Sequence, residues 1–585
     1  MVRRISLIIA LLLPGIVAAQ LDDLLESAWA APALDVLERR REEPLCLRCC
    51  DAYELTEIPG ISQRTAGRIV RAVDAGGITS ISTLCDSLCL SPDQFILLTS
   101  CTTFQCSCGG WIRSASARVR VPTATDGLGL LRINIDHAFG RAGAVYAQRL
   151  DATPSVIGAW ATVDLDNIHI AAGDVAMSLG TGLIMGTSGG LSRSPADVIG
   201  NADNALTMRP WTSSSQEGSI RGLVMRAPIP STGIEFLGSI GRATLNDRSE
   251  MIYAYAITRD ISVATLTLSA VSTQQHSFHS LTATKNIGNG ILRSELAVDQ
   301  NMQWSGHLQG QYHVARTELG FSLWRYDADL RSPFGLSTGT SSAPSNHAGM
   351  LVYCRSPLSN HASLLASLSY GGRISRSYLV PLPTSVLDGT ADVFLRPWKG
   401  VNISTRLRYE RSLDAVSLNG DRGMDVSTYV VARIDTDLPI APNVLGRIRC
   451  DLRSISWRST PVVDNGALLF LDVRWQVRAD LTLRGRWTQF SSTSGIIAPR
   501  MLDATVLGAL QTVVANGKGA RWTIAVRWQI TPWIAGSCAF HEDRRVVDRE
   551  TRVDRSALFQ IDLRLRASGR RDFIAVDDES GSRLE

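Results

Sequence analysis

The chain has 585 residues, 45% of them apolar, 19% charged and 6% aromatic, with 48 glycines and 22 prolines. That balance excludes disordered, collagenous and coiled-coil classes and leaves ample chain for a core. The net charge of +4 comes from 59 basic and 55 acidic residues, so no broad cationic field gathers nucleic acid and any polyanion site is local.

Arg3 and Arg4 precede an apolar stretch from Ile5 to Ala19, broken by Pro14-Gly15 and ending in the small residues Val17 and Ala19. This is the pattern of a secretory signal peptide over residues 1–19. Beyond Gln20 no uninterrupted apolar run reaches about 18 residues, so a membrane location of the mature chain requires a barrel.

Eight of the eleven cysteines crowd into the next segment: Cys46, Cys49, Cys50, Cys85, Cys89, Cys101, Cys106 and Cys108. Export into an oxidising compartment makes disulfides the first reading, with a pairing the sequence does not choose. A competing reading takes Cys46-x-x-Cys49 with Cys106-x-Cys108 as zinc ligands, although the loop spacings match no common zinc module.

Residues 20–108 read as a small helical domain. Leu21 to Glu26 and Leu37 to Glu43 show helical periodicity, punctuated by Pro32 and Pro44. Leu55 to Val70 then reads as helix, tight Pro59-Gly60 turn and second helix, with Ala66 and Ile69 facing the core. The amides opening a second helix favour an anion such as a backbone phosphate. Gly60, Ile61, Ser62 and Arg64 would hold it, and Arg68 and Arg71 follow Arg64 at helical spacing on the same face. Across residues 44–108, however, four arginines stand against six acidic residues, so the domain is net acidic by two.

These residues resemble the helix-hairpin-helix motif of DNA-binding proteins, and Asp74 to Leu84 resembles the connector of the competence-type double module. Where that family has a second glycine this chain has Ser62, and the second hairpin, near Leu90 to Phe95, lacks its Gly-rich turn. The resemblance implies double-stranded DNA as partner. The alternative is a module that kept the fold and serves packing, plugging or protein docking.

From Trp111 the hydrophobic period changes from 3.6 to 2. Leu471, Val473, Trp475 and Val477 oppose Asp472, Arg474, Gln476 and Arg478. Trp522, Ile524, Val526, Trp528 and Ile530 oppose Arg521, Thr523, Ala525, Arg527 and Gln529. The same alternation recurs at Phe559 to Arg566 and Val401 to Glu410. Segments of nine to eleven residues over residues 109–567 predict about 22 strands, in the range 16 to 26, with outer-membrane lipid as partner. A secreted set of β-sandwiches is the competing architecture. Arg406, Arg408 and Glu410 are expected to line a solvated lumen, and residues 568–585 read as a polar tail.

Gly173-Asp174, Leu179 to Leu183, Ser192 to Pro195, Arg209 to Ser214 and Arg221-Gly222, with the leading Leu-Asp-Asp-Leu helix, resemble a family of Bacteroidota-type exported proteins. That family joins a helix-hairpin-helix region to a large outer-membrane-like β domain, and the resemblance implies architecture more than activity.

Gly186-Thr187-Ser188-Gly189-Gly190 satisfies G-x-S-x-G, but no helix follows Ser188, and the glycines from Gly180 to Gly186 lack a βαβ unit. A turn or constriction loop is the better reading of that stretch. His276 and His279 sit close together without carboxylates at ligand spacing. The sequence thus predicts a mainly β chain, a large antiparallel outer-membrane-type β-barrel with a small all-α N-terminal helix-hairpin-helix domain. It is expected to be non-enzymatic, with no cofactor and no metal, and its module to bind DNA without sequence preference.

Overall fold

In a computed structural model the described residues are Arg40 and, with interruptions, Pro44 to Arg566; the longer breaks are 105–111, 124–127, 150–154, 187–205, 212–218, 336–344, 377–381 and 503–511 apart from Val506. The expected signal peptide and the tail 568–585 lie outside them.

Alternation along many of the described strands buries one face and leaves the other outside, and the sheet closes on itself. The strand Ile112–Pro122 pairs antiparallel with the strand Glu550–Arg566, from Ser114 opposite Arg566 to Pro122 opposite Leu558. The closed sheet contains 25 strand segments. Two of them, Leu206–Pro210 and Ile220–Ile229, lie end to end along the same neighbour, Ile168–Leu179, and form one interrupted strand. The ring therefore has 24 strands, all antiparallel, within the predicted range. Closure into a single ring excludes the separate sandwiches.

The facing follows the sequence pattern. Leu471, Val473 and Trp475 are exposed on the outer surface, while Asp472 between them is buried inside. Trp522, Ile524, Trp528 and Ile530, Phe559, Ile561 and Leu563, and Leu407 with Tyr409 are likewise exposed. An outward apolar band with ionised side chains inside is the arrangement that suits lipid outside and water within.

The two rims differ. At one rim the connections are two to six residues long, as at 138–139, 288–289 and 396–401; at the other they include 180–205, 327–346, 373–384 and 493–517. Exposed Tyr312, Trp398, Trp475, Trp528 and Trp533 cluster near the short turns, where amphipathic rings favour a membrane interface. The chain enters and leaves the barrel at this short-turn rim.

The N-terminal unit contains helices α1 (Gln63–Asp74), α2 (Ile81–Leu88) and α3 (Pro92–Cys101). A short parallel pairing of Leu45–Cys46 with Thr102–Thr103 ties its ends together. Ala66 and Ile69 of α1 are fully buried with Leu55, Ile58, Ile61, Leu84 and Leu98, as their spacing predicts. Helix α1 ends at Gly76, whose positive φ of 75° suits a glycine C-cap, and Ser80 Oγ caps α2 by accepting the Thr83 amide. None of the described helices is long and apolar enough to cross a membrane.

Candidate functional site in the barrel lumen

The interrupted strand is built around Asp174. Its carboxylate accepts the Ala159 amide at 2.8 Å and the Arg221 Nε and Nη2 groups at 2.9 and 3.1 Å, and its carbonyl accepts the Trp211 amide. Val175 is opposite both Pro210 and Ile220, so the chain leaves the sheet after Pro210 and rejoins it at the same level. Gly173 holds φ +92°, and a Cβ there would lie 2.1 Å from the Ala159 carbonyl oxygen. The Gly173-Asp174, Trp211 and Arg221 signatures, far apart in sequence, therefore meet in one device.

Past Leu179 the chain turns into the lumen. Gly180 takes φ +62°, and its missing side chain leaves room for Thr282 Oγ1 and Glu295, which a Cβ would approach to 2.5 and 2.7 Å. Thr181 then donates its amide and its hydroxyl to Glu295 Oε2 on the strand Gly290–Asp299. His307 Nδ1 lies 3.0 Å from the same hydroxyl, and its Nε2 lies 2.7 Å from Ser322 Oγ. Leu183, Ile184 and Met185 share an apolar core with Val271, Trp324, Tyr326, Leu351 and Tyr353. The long connection 327–346 secures the fold-in, since Ser332 Oγ donates to the Ile184 carbonyl and the Gly186 amide to the Phe334 carbonyl. An irregular, infolded segment at these glycines agrees with the expectation of a turn or constriction loop. Ser188 and the rest of the G-x-S-x-G pattern lie outside the described residues beyond Gly186.

A second connection folds in on the far side. Within 493–517 the segments Arg500–Leu502 and Thr512–Val514 form a small hairpin. Met501 and Ala515 pack with Leu468, Phe470 and Phe490. Arg453 Nη1 donates to the Ala498 carbonyl beside them.

The lumen wall between the loops is an arginine–aspartate lattice. Asp435 takes Arg449 at 2.7 Å and Arg447 at 3.2 Å; Asp451 takes Arg433 at 2.7 Å and Arg453 at 2.9 Å. Asp472 takes Arg486 at 2.6 Å and Arg484 at 2.9 Å, and Asp543 takes Arg545 at 2.6 Å and Arg521 at 3.3 Å. Each carboxylate is shared by two guanidinium groups, which offsets the cost of burying it. Phe470, fully buried, lies under Arg486, Arg449 and Arg447 at 4.4, 5.1 and 5.8 Å from its ring centroid. Arg406, Arg408 and Glu410 line the lumen as expected, with Arg406 on Asp392 at 2.7 Å and Arg408 between Asp388 and Glu410.

The N-terminal unit holds the residues singled out for DNA. Gly60 and Ser62 lie outside the described residues, and of Arg64 only its place in α1 is described. The Ile61 side chain is buried and its amide donates to the Ile58 carbonyl, so that amide closes a turn instead of facing outward. Arg68 Nη2 donates to the Leu88 carbonyl at the end of α2, and Arg71 Nε to the Gly67 carbonyl within α1. Both arginines thus direct donors to the unit's own backbone. Cys50, Cys85 and Cys101 are buried in the unit's core among Leu55, Ile58, Leu84 and Leu98. Cys46 is disulfide-bonded; Cys49, Cys89, Cys106 and Cys108 lie outside the described residues, and with them most of the zinc alternative. Glu54 reaches the barrel, 3.5 Å from Arg141 next to a short turn.

His276 and His279 are both exposed, on a turn and on the strand that follows it. No group of three or more metal-ligating side chains occurs among the described residues. Glu295 and His307 were not singled out in the sequence; the available signal was a carboxylate and an imidazole at inward positions of alternating strands.

No known protein-family profile and no curated protein matches the chain. Among solved structures it is similar to a copper transporter, OprC, at 9% identity and a TM-score of 0.43, covering 78% of this chain and 81% of that one. It is also similar to the siderophore receptor PirA from Pseudomonas aeruginosa, at 10% identity and a TM-score of 0.39, covering 78% and 80%. The outer membrane channel DcaP of Acinetobacter baumannii gives 13% identity and a TM-score of 0.27, covering 50% and 87%. Likenesses of this strength define neither substrate nor mechanism.

Proposed function

We propose that this chain is an outer-membrane barrel through which a small solute passes, with its N-terminal helical unit docked at the periplasmic mouth as a plug. The observation that carries the reading is the closed 24-strand ring whose lumen is lined by ionised side chains and narrowed by two infolded connections. A barrel with only a structural role gains nothing from desolvating Glu295 to hold a loop in its own lumen. Short turns face the periplasm in barrels of this kind, and the position of the helical unit and the Glu54–Arg141 contact beside those turns supports the periplasmic side for it.

Double-stranded DNA is the second reading of the unit, favoured by the helix that follows the turn at Ile58 to Ile61. Docking is the better supported, because Ile61 and Arg68 direct donors to the unit's own backbone and Glu54 meets the barrel. A salt series of duplex DNA binding by the full chain in detergent, beside Arg64→Ala/Arg68→Ala, separates the two. Binding that weakens with salt and with the substitutions supports DNA, and no binding at low salt supports the plug.

A further inference from the structure

We propose that the wall formed by the strands from Ser385 to Val547 recognises small anionic solutes through guanidinium groups that overhang buried carboxylates. This rests on the passage reading above and names the class of solute.

Exposure divides the two signs of charge. In the lattice the carboxylates are sealed: the Asp388, Asp392, Asp451, Asp472 and Asp543 side chains are 1–8% exposed. One partner of each of four of them reaches solvent, with Arg408 at 37%, Arg545 at 32% and Arg406 and Arg484 at 22%, while the second partners Arg486 and Arg521 stay at 3% and 10% and anchor the carboxylates from within the wall. A solute in the lumen meets guanidinium before it meets carboxylate. Glu410, 26% exposed beside Arg408, is the acid that breaks the pattern.

The guanidinium groups are also oriented. Arg406, Arg408 and Arg545 each turn the Nε–Nη2 edge onto a buried aspartate, at 2.6–3.1 Å. That clamp fixes the plane of the fork and directs the Nη1 side away from the aspartate. At Arg406 and Arg545 a carboxylate, sulfonate or phosphate can then be taken in a forked pair without first ordering a long side chain; at Arg408, whose Nη2 also donates to Glu410 at 2.7 Å, only the Nη1 side contributes. On the other wall the apolar core around Leu183, Ile184 and Met185 offers an anion nothing, so selection falls to the arginine side. A narrow passage lined by one accessible sign of charge concentrates the opposite ion.

The test is equilibrium binding by the full chain in nonionic detergent, followed by fluorescence anisotropy. The probes are a trisulfonated pyrene dye and a cationic acridine dye. The informative variant combines Arg406→Gln with Asp392→Asn and Arg408→Gln with Asp388→Asn, removing two charges of each sign and leaving net charge unchanged. A second variant, Arg406→Lys/Arg408→Lys, keeps the positive charges and buried aspartates.

The expected result is trisulfonate binding at least tenfold tighter than acridine binding. It falls at least fivefold in the charge-neutral variant and less than threefold in the lysine variant. Equal binding of the two dyes by the unaltered chain, which needs no variant to fold, overturns the proposal; so does an unchanged affinity in a charge-neutral variant that keeps heat-modifiable gel mobility. Bilayer currents separate this idea from its basis. Anion binding without current sinks the passage reading alone, whereas a cation-selective current overturns the anion proposal.

Discussion

Thr181 and Glu295, 114 residues apart, meet inside the barrel: the threonine donates both its amide and its hydroxyl, the latter at 2.6 Å, to one carboxylate oxygen. Glu295 is 1% exposed, so these bonds replace water it has lost, and His307 braces the same hydroxyl. The contact holds the connection after Leu179 across the lumen instead of outside it.

Replacing Glu295 by alanine removes both acceptor contacts, each worth about 0.5–1.5 kcal/mol. Amide hydrogen exchange in the peptide spanning Leu179 to Gly186 is expected to accelerate at least tenfold, with the barrel strands unaffected. Unchanged protection would place the hold on the loop elsewhere.

Gly180→Ala attacks the same contact sterically. The added Cβ meets Thr282 and Glu295 on a backbone with φ +62°, so the loop must lift. Its exchange rate should match that of Glu295→Ala, and the double variant should add little, because both act on one docked state.

Phe470→Ala empties a site beneath three guanidinium groups and is expected to destabilise the barrel by about 3–5 kcal/mol, read as a lower temperature for the heat-modifiable gel shift. Phe470→Leu keeps most of the volume and should lose less than half as much. Equal losses would show that the aromatic face carries the effect.

The Glu54–Arg141 ion pair joins the helical unit to the barrel, and the plug reading makes it a docking contact. Arg141→Glu is expected to raise single-channel conductance by loosening the plug, and adding Glu54→Arg to restore it, with a coupling of about 1 kcal/mol. Failure of the reciprocal change to restore conductance would remove this pair from the docking contact.

The fold was legible where a rule of period two applied over ten residues or more. Leu471 to Trp475 and Trp522 to Ile530 declared their outer faces because lipid and lumen impose opposite demands on neighbouring side chains. Gly180 to Gly186 announced an irregular segment for the same kind of reason, since φ values such as +62° and +95° favour glycine. The partners across the lumen were not legible: nothing local marks Glu295 as the acceptor for Thr181, or Asp472 as the anchor of two arginines, because barrel closure brings them together. At the hairpin, a sequence pattern associated with phosphate binding also fits a packed turn. The direction of the Ile61 amide and the Arg68 guanidinium is not encoded in spacing.

The most direct test of solute passage is the ionic current carried by the detergent-purified full chain in a planar lipid bilayer, beside Glu295→Ala and a form lacking residues 20–108. Small or intermittent currents in the full chain that grow in both altered forms are the predicted result. A heat-modifiable, membrane-inserted barrel that carries no current in any of the three forms would contradict it.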